Sequence, residues 1–115
     1  MSTKLELKKD KEILKQIKRV IMDVAKEMGI EIDRIILFGS RARGDYREDS
    51  DWDILVVTKN EFQKNNLKWK FWDEVMKQLD YIDLELFIVD RKHFLRNARV
   101  VGNIEYISNK KGVVI

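Results

Sequence analysis

The sequence contains no cysteine, no proline and one histidine, His93. Without cysteine, disulfide bonds and thiolate metal sites are excluded. His93 has no ligand of another type close to it in the pattern, so we expect it on the exposed side of a helix that follows Val89, without a catalytic role. Metal chemistry in this chain would therefore have to rely on oxygen ligands.

Long apolar runs are also absent, and none approaches the roughly 20 residues that a membrane-spanning helix needs. The N-terminal residues Met1–Lys4 lead into a charged segment and not into the apolar core of a signal peptide. We expect a cytoplasmic protein without a membrane partner. With 44% apolar residues in 115, the chain is long enough for one domain, residues 1–115, with a small core.

Charge of one sign does not dominate, since the net charge is only +3 with 23 basic and 20 acidic residues. The two signs alternate, as in the segment Lys8–Glu12, and such mixed runs are typical of solvated helix faces. Nucleic acid is therefore not expected as a partner.

Apolar periodicity predicts the helices. Residues at three- and four-residue steps predict an amphipathic helix over residues 5–28, with Gly29 as its C-cap. A second helix is predicted over residues 60–79, and its inner face is widened by Trp69 and Phe71. The last helix is predicted over residues 103–109, before a short apolar end.

Two short apolar segments, Arg34–Phe38 and Ile54–Val57, predict strands. The polar residues 40–50 between them are too few for a crossover helix, so we expect antiparallel neighbours. Asp51 and Asp53 are two residues apart and project to one face of the second strand, while Trp52 projects into the core.

Two carboxylates on one face repel each other, and this raises the pKa of one of them unless a cation lies between them. Oxygen ligands suit Mg²⁺ or Mn²⁺, and Mg²⁺ is commonly held by one or two carboxylates together with substrate phosphates. Asp51 and Asp53 are therefore candidate metal ligands.

The turn after the first strand has the chemistry of a phosphate site. Gly39 permits a close backbone approach, and Ser40 is expected to cap the following helical turn and to offer its hydroxyl to a phosphate oxygen. The amides of that turn carry partial positive charge. Arg41, Arg43 and Arg47 add guanidinium groups, which match phosphate geometry.

Gly39-Ser40, ten residues, and then Asp51-Trp52-Asp53 together resemble the signature of the minimal nucleotidyltransferase family in the DNA polymerase β-like superfamily. The wider wording, Phe38–Asp45 and Asp49–Val56, is also similar. The resemblance covers nearly the whole chain. It implies an α/β fold of the α+β type, with a small mixed sheet flanked by helices.

The resemblance also implies a third carboxylate on a later strand, here within Tyr81–Val89. By its offset to Phe94, the family's third acid aligns with Glu85, although the family more often has aspartate there. Asp83 lies on the same face and is the rival candidate.

The implied reaction transfers AMP from ATP, with two Mg²⁺ ions, or Mn²⁺ in their place, held by Asp51, Asp53 and Glu85. Glu85 or Asp83 would accept the proton of the acceptor hydroxyl. The implied nucleotide-binding residues are Gly39, Ser40, Arg41, Arg43 and Ser50.

The acceptor is not visible in the sequence. The family implies a HEPN-domain protein, adenylylated by its antitoxin, as partner. Two alternatives stay open: a non-catalytic nucleotide-binding antitoxin subunit, and transfer to a small molecule or RNA. A homo-oligomer is also left open.

Overall fold

A computed structural model describes residues 4–115, with side chains from Lys9 onward. The expectation that the N-terminal residues do not form a signal peptide concerns residues 1–3 in part, and these lie outside the described range. In chain order the elements are α1 (Lys4–Met28), β1 (Ile32–Phe38), α2 (Ser40–Arg43), β2 (Trp52–Thr58), α3 (Asn65–Gln78), β3 (Leu84–Asp90), α4 (Arg91–Asn97), α5 (Ile104–Lys111) and β4 (Val113–Val114).

The strands form one mixed sheet in the order β3-β2-β1-β4. β1 pairs antiparallel with β2, as predicted from the short polar connection, and β2 pairs parallel with β3. A parallel pair needs a crossover, which α3 provides. The predicted α/β fold with a small mixed sheet is confirmed.

Each face of the sheet carries its own apolar cluster because side chains alternate along the strands. On one face, α1 and α3 pack on residues such as Ile54 and Val56. On the other face, Phe94 of α4 packs on Leu55 and Val57. Trp52 is buried in the α1/α3 cluster, as predicted.

The end of α1 at Met28, before Gly29 with φ 71°, agrees with the predicted glycine cap. The predicted start of α3 at residue 60 is wrong, because the helix begins at Asn65. The Thr58 hydroxyl donates to the Asn60 carbonyl at 2.9 Å, and such local bonds hold the backbone in a turn.

Two aromatic residues of α3 differ from one another. Phe71 is fully buried, as its predicted place on the inner face requires. Trp69 is 62% exposed and packs in a T-shaped arrangement with Trp72, so its predicted inner position is wrong.

The apolar C-terminal end forms β4, which pairs antiparallel with Ile36 and Leu37 of β1. In the described part of the chain, no helix is long and apolar enough to cross a membrane.

Candidate functional site

The sheet register brings two of the predicted acids together. Asp53 of β2 is the in-register partner of Glu85 on the parallel strand β3. Because in-register partners lie on the same face, the two carboxyl groups meet and share a hydrogen bond. Phe38, the partner of Asp53 on β1, brings the start of the next turn to the same point.

The surroundings of Asp53 raise its pKa from 3.8 to about 6. Burial is the largest cause, followed by the hydrogen bond with Glu85 and the negative charges of Glu85 and Asp51. Arg43 acts in the opposite direction. Without a cation, these acids therefore relieve their repulsion by retaining a proton at pH values below about 6.

Gly39 lies directly against the Asp53 carboxylate. Its backbone has φ 76° and ψ −159°, a conformation that L side chains rarely adopt. A Cβ at this position would overlap the Asp53 carboxylate. The glycine therefore allows the turn to approach the acids closely.

The polar side chains of the one-turn helix α2 lie on two different faces of the helix. Ser40 and Arg43 are three positions apart and lie on one face, and the charge of Arg43 acts on Asp53. The expectation that Ser40 caps the turn is wrong: Gly39 is the N-cap, without a side-chain hydrogen bond, and Ser40 is the first helical residue. Its hydroxyl is thus not used as a cap.

Arg41 takes the opposite direction and packs over the ring of Trp52, 4.2 Å from the centroid. Its Nε donates to the Ser50 carbonyl at 3.0 Å. The Ser50 hydroxyl in turn accepts from the Arg47 amide at 2.8 Å. The contacts of Arg41 and Ser50 thus lie within the loop and on the α1 side, and a nucleotide contact of either residue stays a prediction.

The two rivals for the third acid occupy different positions. Glu85 contacts Asp53, while Asp83 lies just before β3 and its carbonyl accepts from the Trp52 amide at 2.8 Å. Asp83 is not among the groups that shift the pKa of Asp53. The geometry therefore favours Glu85.

The donor set of Asp51, Asp53 and Glu85 fits a hard divalent cation, since it consists of carboxylate oxygens whose mutual repulsion helps to raise the pKa of Asp53. The ligand atoms of Asp51, Asp53 and Glu85 do not all lie within 4.8 Å of one another. Among the described residues, the group that meets this condition is Glu61, Asp90 and His93. Asp51 therefore stands off from at least one of its two partners.

The second group has a structural explanation. Asp90 is the N-cap of α4 and accepts from the His93 amide at 2.9 Å and from its ring Nδ1 at 2.6 Å. Although burial acts to raise the pKa of Asp90, these hydrogen bonds lower it. His93 is exposed, as predicted. The cap could have been read from an aspartate three residues before His93.

Comparisons with known proteins agree with this arrangement. Residues 7–108 match the family model described as nucleotidyltransferase domain. A protein of Methanocaldococcus jannaschii, provisionally named a protein adenylyltransferase, is 33% identical over 99 residues, which span 83% of this chain and 87% of the relative.

Two further relatives are similar over a shorter segment or at a lower sequence identity. Another protein of that organism, with the same provisional name, is 50% identical over 48 residues, or 42% of this chain and 46% of the relative. This chain thus matches about half of that relative's length. A crystal structure from Sulfolobus solfataricus, provisionally named a nucleotidyltransferase, shares the fold, with a TM-score of 0.66 at 23% identity over 98% of this chain and 87% of that chain.

Proposed function

Because the chain belongs to the nucleotidyltransferase domain family, we propose that it transfers AMP from ATP to a hydroxyl group of a partner protein. The observation that carries the proposal is the contact of Asp53 with Glu85, directly beside Gly39. Carboxyl groups that repel each other in the absence of a cation, next to a glycine that has no side chain, suit a metal-bound triphosphate.

Each residue has a role in this proposal. Asp51, Asp53 and Glu85 would hold divalent ions, two Mg²⁺ by family analogy, which when bound neutralise the triphosphate and make the α-phosphorus more electrophilic. Gly39 admits the phosphates. The Ser40 hydroxyl donates to a phosphate oxygen, and Arg43 balances negative charge on the same side.

The bond changes follow from these roles. The acceptor oxygen forms a bond to the α-phosphorus as the bond to the pyrophosphate oxygen breaks. Glu85 accepts the hydroxyl proton, as a carboxylate positioned beside the reacting atoms does in general base catalysis. The leaving group is pyrophosphate.

The choice of ATP and of a protein acceptor has indirect support. The two M. jannaschii relatives are provisionally named protein adenylyltransferases. The family resemblance implies a HEPN-domain protein as acceptor, and a cytoplasmic reaction is part of the same proposal.

The test uses ATP labelled at the α-phosphate, Mg²⁺, and a purified HEPN-domain protein as the candidate acceptor. We expect label on the partner with the wild type and none with Asp53→Asn, and no label when ATP carries it at the γ-phosphate. Binding of MgATP without label on the partner would contradict the proposal and favour the non-catalytic subunit. Label on RNA or a small molecule instead would redirect it to those acceptors.

A further inference from the structure

Arg41 is a buried charged residue that the proposed reaction does not use. Its side chain is 7% exposed, although an unpaired charge is costly to bury. Two backbone carbonyls compensate: Nε donates to the Ser50 carbonyl and a terminal nitrogen donates to the Glu48 carbonyl, each at 3.0 Å. The guanidinium therefore bridges two points of the loop that leads to Asp51.

The same guanidinium is held from the other side by α1 and by two rings. It lies 3.5 Å from the carboxylate of Asp10 in α1 and between Tyr46 and Trp52, at 4.7 and 4.2 Å from their centroids. The Tyr46 hydroxyl also donates to Asp10. The sequence gives no signal for the Asp10 contact, because the two residues are 31 positions apart.

These contacts fix the backbone on the N-terminal side of Asp51. The Ser50 carbonyl, which Arg41 holds, belongs to the peptide unit that leads into Asp51. On the C-terminal side, the Trp52 amide donates to the Asp83 carbonyl at 2.8 Å. Asp51 thus lies between two fixed peptide units, and one of them depends on Arg41.

We propose that Arg41 is a positioning residue that places Asp51 for metal binding by coupling its backbone to the turn at Gly39. This inference rests on the proposed metal-dependent transfer. It replaces a nucleotide contact of Arg41 with a role that acts through Asp51. Arg43, which lies toward the acids, keeps the phosphate side.

Arginine is needed at this position for a geometrical reason. A guanidinium offers five donors in a planar fork and stacks on aromatic rings, whereas a lysine ammonium is a compact charge with three donors. Lysine therefore preserves the charge but cannot bond two carbonyls and Asp10 while lying between two rings. A phosphate contact, in contrast, would tolerate lysine in part.

The test compares Arg41→Lys with Arg19→Lys, a conservative change at an exposed position of α1. Mn²⁺ binding is measured by electron paramagnetic resonance without nucleotide, and amide hydrogen exchange is measured at Asp51 and Trp52. We expect Arg41→Lys to weaken Mn²⁺ binding about tenfold, as loss of groups that orient metal ligands does. Exchange at both amides should accelerate, and Arg19→Lys should match the wild type.

Steady-state transfer gives a second readout. At saturating metal, Arg41→Lys should lower kcat with little change in the KM for ATP. A raised KM for ATP with wild-type Mn²⁺ affinity would overturn the inference and make Arg41 a phosphate ligand. Wild-type metal binding and wild-type exchange in Arg41→Lys would overturn it as well.

A milder variant covers the case in which Arg41→Lys does not fold. Asp10→Asn removes only the ion pair, and we expect it to weaken Mn²⁺ binding in the same direction by a smaller factor; unchanged binding in a folded Asp10→Asn would then overturn the inference. If the wild type binds Mn²⁺ but labels no partner, the transfer proposal fails and the Mn²⁺ measurements still decide the role of Arg41. If the wild type binds no Mn²⁺, both proposals fail.

Discussion

At the scale of the residue, the Asp53 carboxyl group binds a proton up to a pH of about 6, because burial and neighbouring acids raise its pKa. The folded protein then binds more protons than the unfolded chain between pH 3.8 and about 6. The contribution of Asp53 to stability is therefore present at low pH and is lost as the pH rises through 6.

This loss of stability with rising pH gives a prediction for the metal-free protein. Asp53→Asn should raise the free energy of unfolding at pH 8 by up to about 1 kcal/mol, since much of the repulsion is screened by solvent. At pH 4 the gain should disappear. Urea unfolding with EDTA at both pH values measures it, with Asp80→Asn as an exposed control. A less stable Asp53→Asn protein at pH 8 would show that the acids do not repel.

Substitutions at two glycines distinguish the effect of a steric clash with Asp53 from the effect of backbone strain. Gly39 and Gly44 both have positive φ, 76° and 87°, but a Cβ meets Asp53 at Gly39 and nothing within 4 Å at Gly44. Both alanine variants should lose about 1–2 kcal/mol through strain. Only Gly39→Ala should also lose MgATP binding in calorimetric titration. Equal MgATP affinities in the two variants would remove Gly39 from the phosphate site.

At the scale of the element, the end of β3 and the start of α4 are joined by the Asp90 cap. Asp90→Ala should lower the free energy of unfolding by about 1 kcal/mol. Because hydrogen bonds from His93 lower the pKa of Asp90, this contribution is present near neutral pH and is lost as the pH falls below about 4.

Because the Asp90 cap lies far from the acids, we expect it to affect stability and not the transfer reaction. Asp90 lies at the opposite end of β3 from Glu85, so transfer by the folded Asp90→Ala protein should match the wild type. Thermal unfolding and single-turnover rates are measured on the same samples. A large loss of rate at unchanged stability would instead make the Glu61, Asp90 and His93 group part of the reaction.

Some features of the helices and strands could be predicted from the sequence, and others could not. The β1 and β2 segments and their antiparallel pairing were predictable because a polar connection of that length has few alternatives. The start of α3 and the capping of α2 were not, since both depend on competing local hydrogen bonds. The contacts of Arg41 with Asp10 and Trp52 were not predictable either, because these residues come together only in the folded chain.

At the scale of the whole molecule, the sheet separates stability from chemistry. Val75 of α3 is fully buried on the α1/α3 face, whereas the acids lie on the opposite face. Val75→Ala should therefore cost about 2 kcal/mol in denaturant unfolding and leave the transfer rate unchanged while the protein is folded. Met22→Ala, at a 43% exposed position, should cost less than about 0.5 kcal/mol. Parallel losses of rate and stability would contradict this separation.

The motif predicts which acidic residues are candidates for the site, but it does not show which of Asp83 and Glu85 lies against Asp53. Sequence alternation puts Asp83 and Glu85 on one face, and only the register that pairs Glu85 with Asp53 distinguishes them. Register depends on the packing of β2 against β3, which no local pattern specifies.

Single-turnover transfer from α-labelled ATP, measured in Glu85→Gln and in its matched control Asp83→Asn, shows whether Glu85 completes the site with Asp53. We predict that Glu85→Gln lowers the rate by about a hundredfold or more, as loss of a general base does. MgATP affinity should change much less, and Asp83→Asn should stay close to the wild type. A wild-type rate in Glu85→Gln together with an inactive Asp83→Asn would instead make Asp83 the third acid.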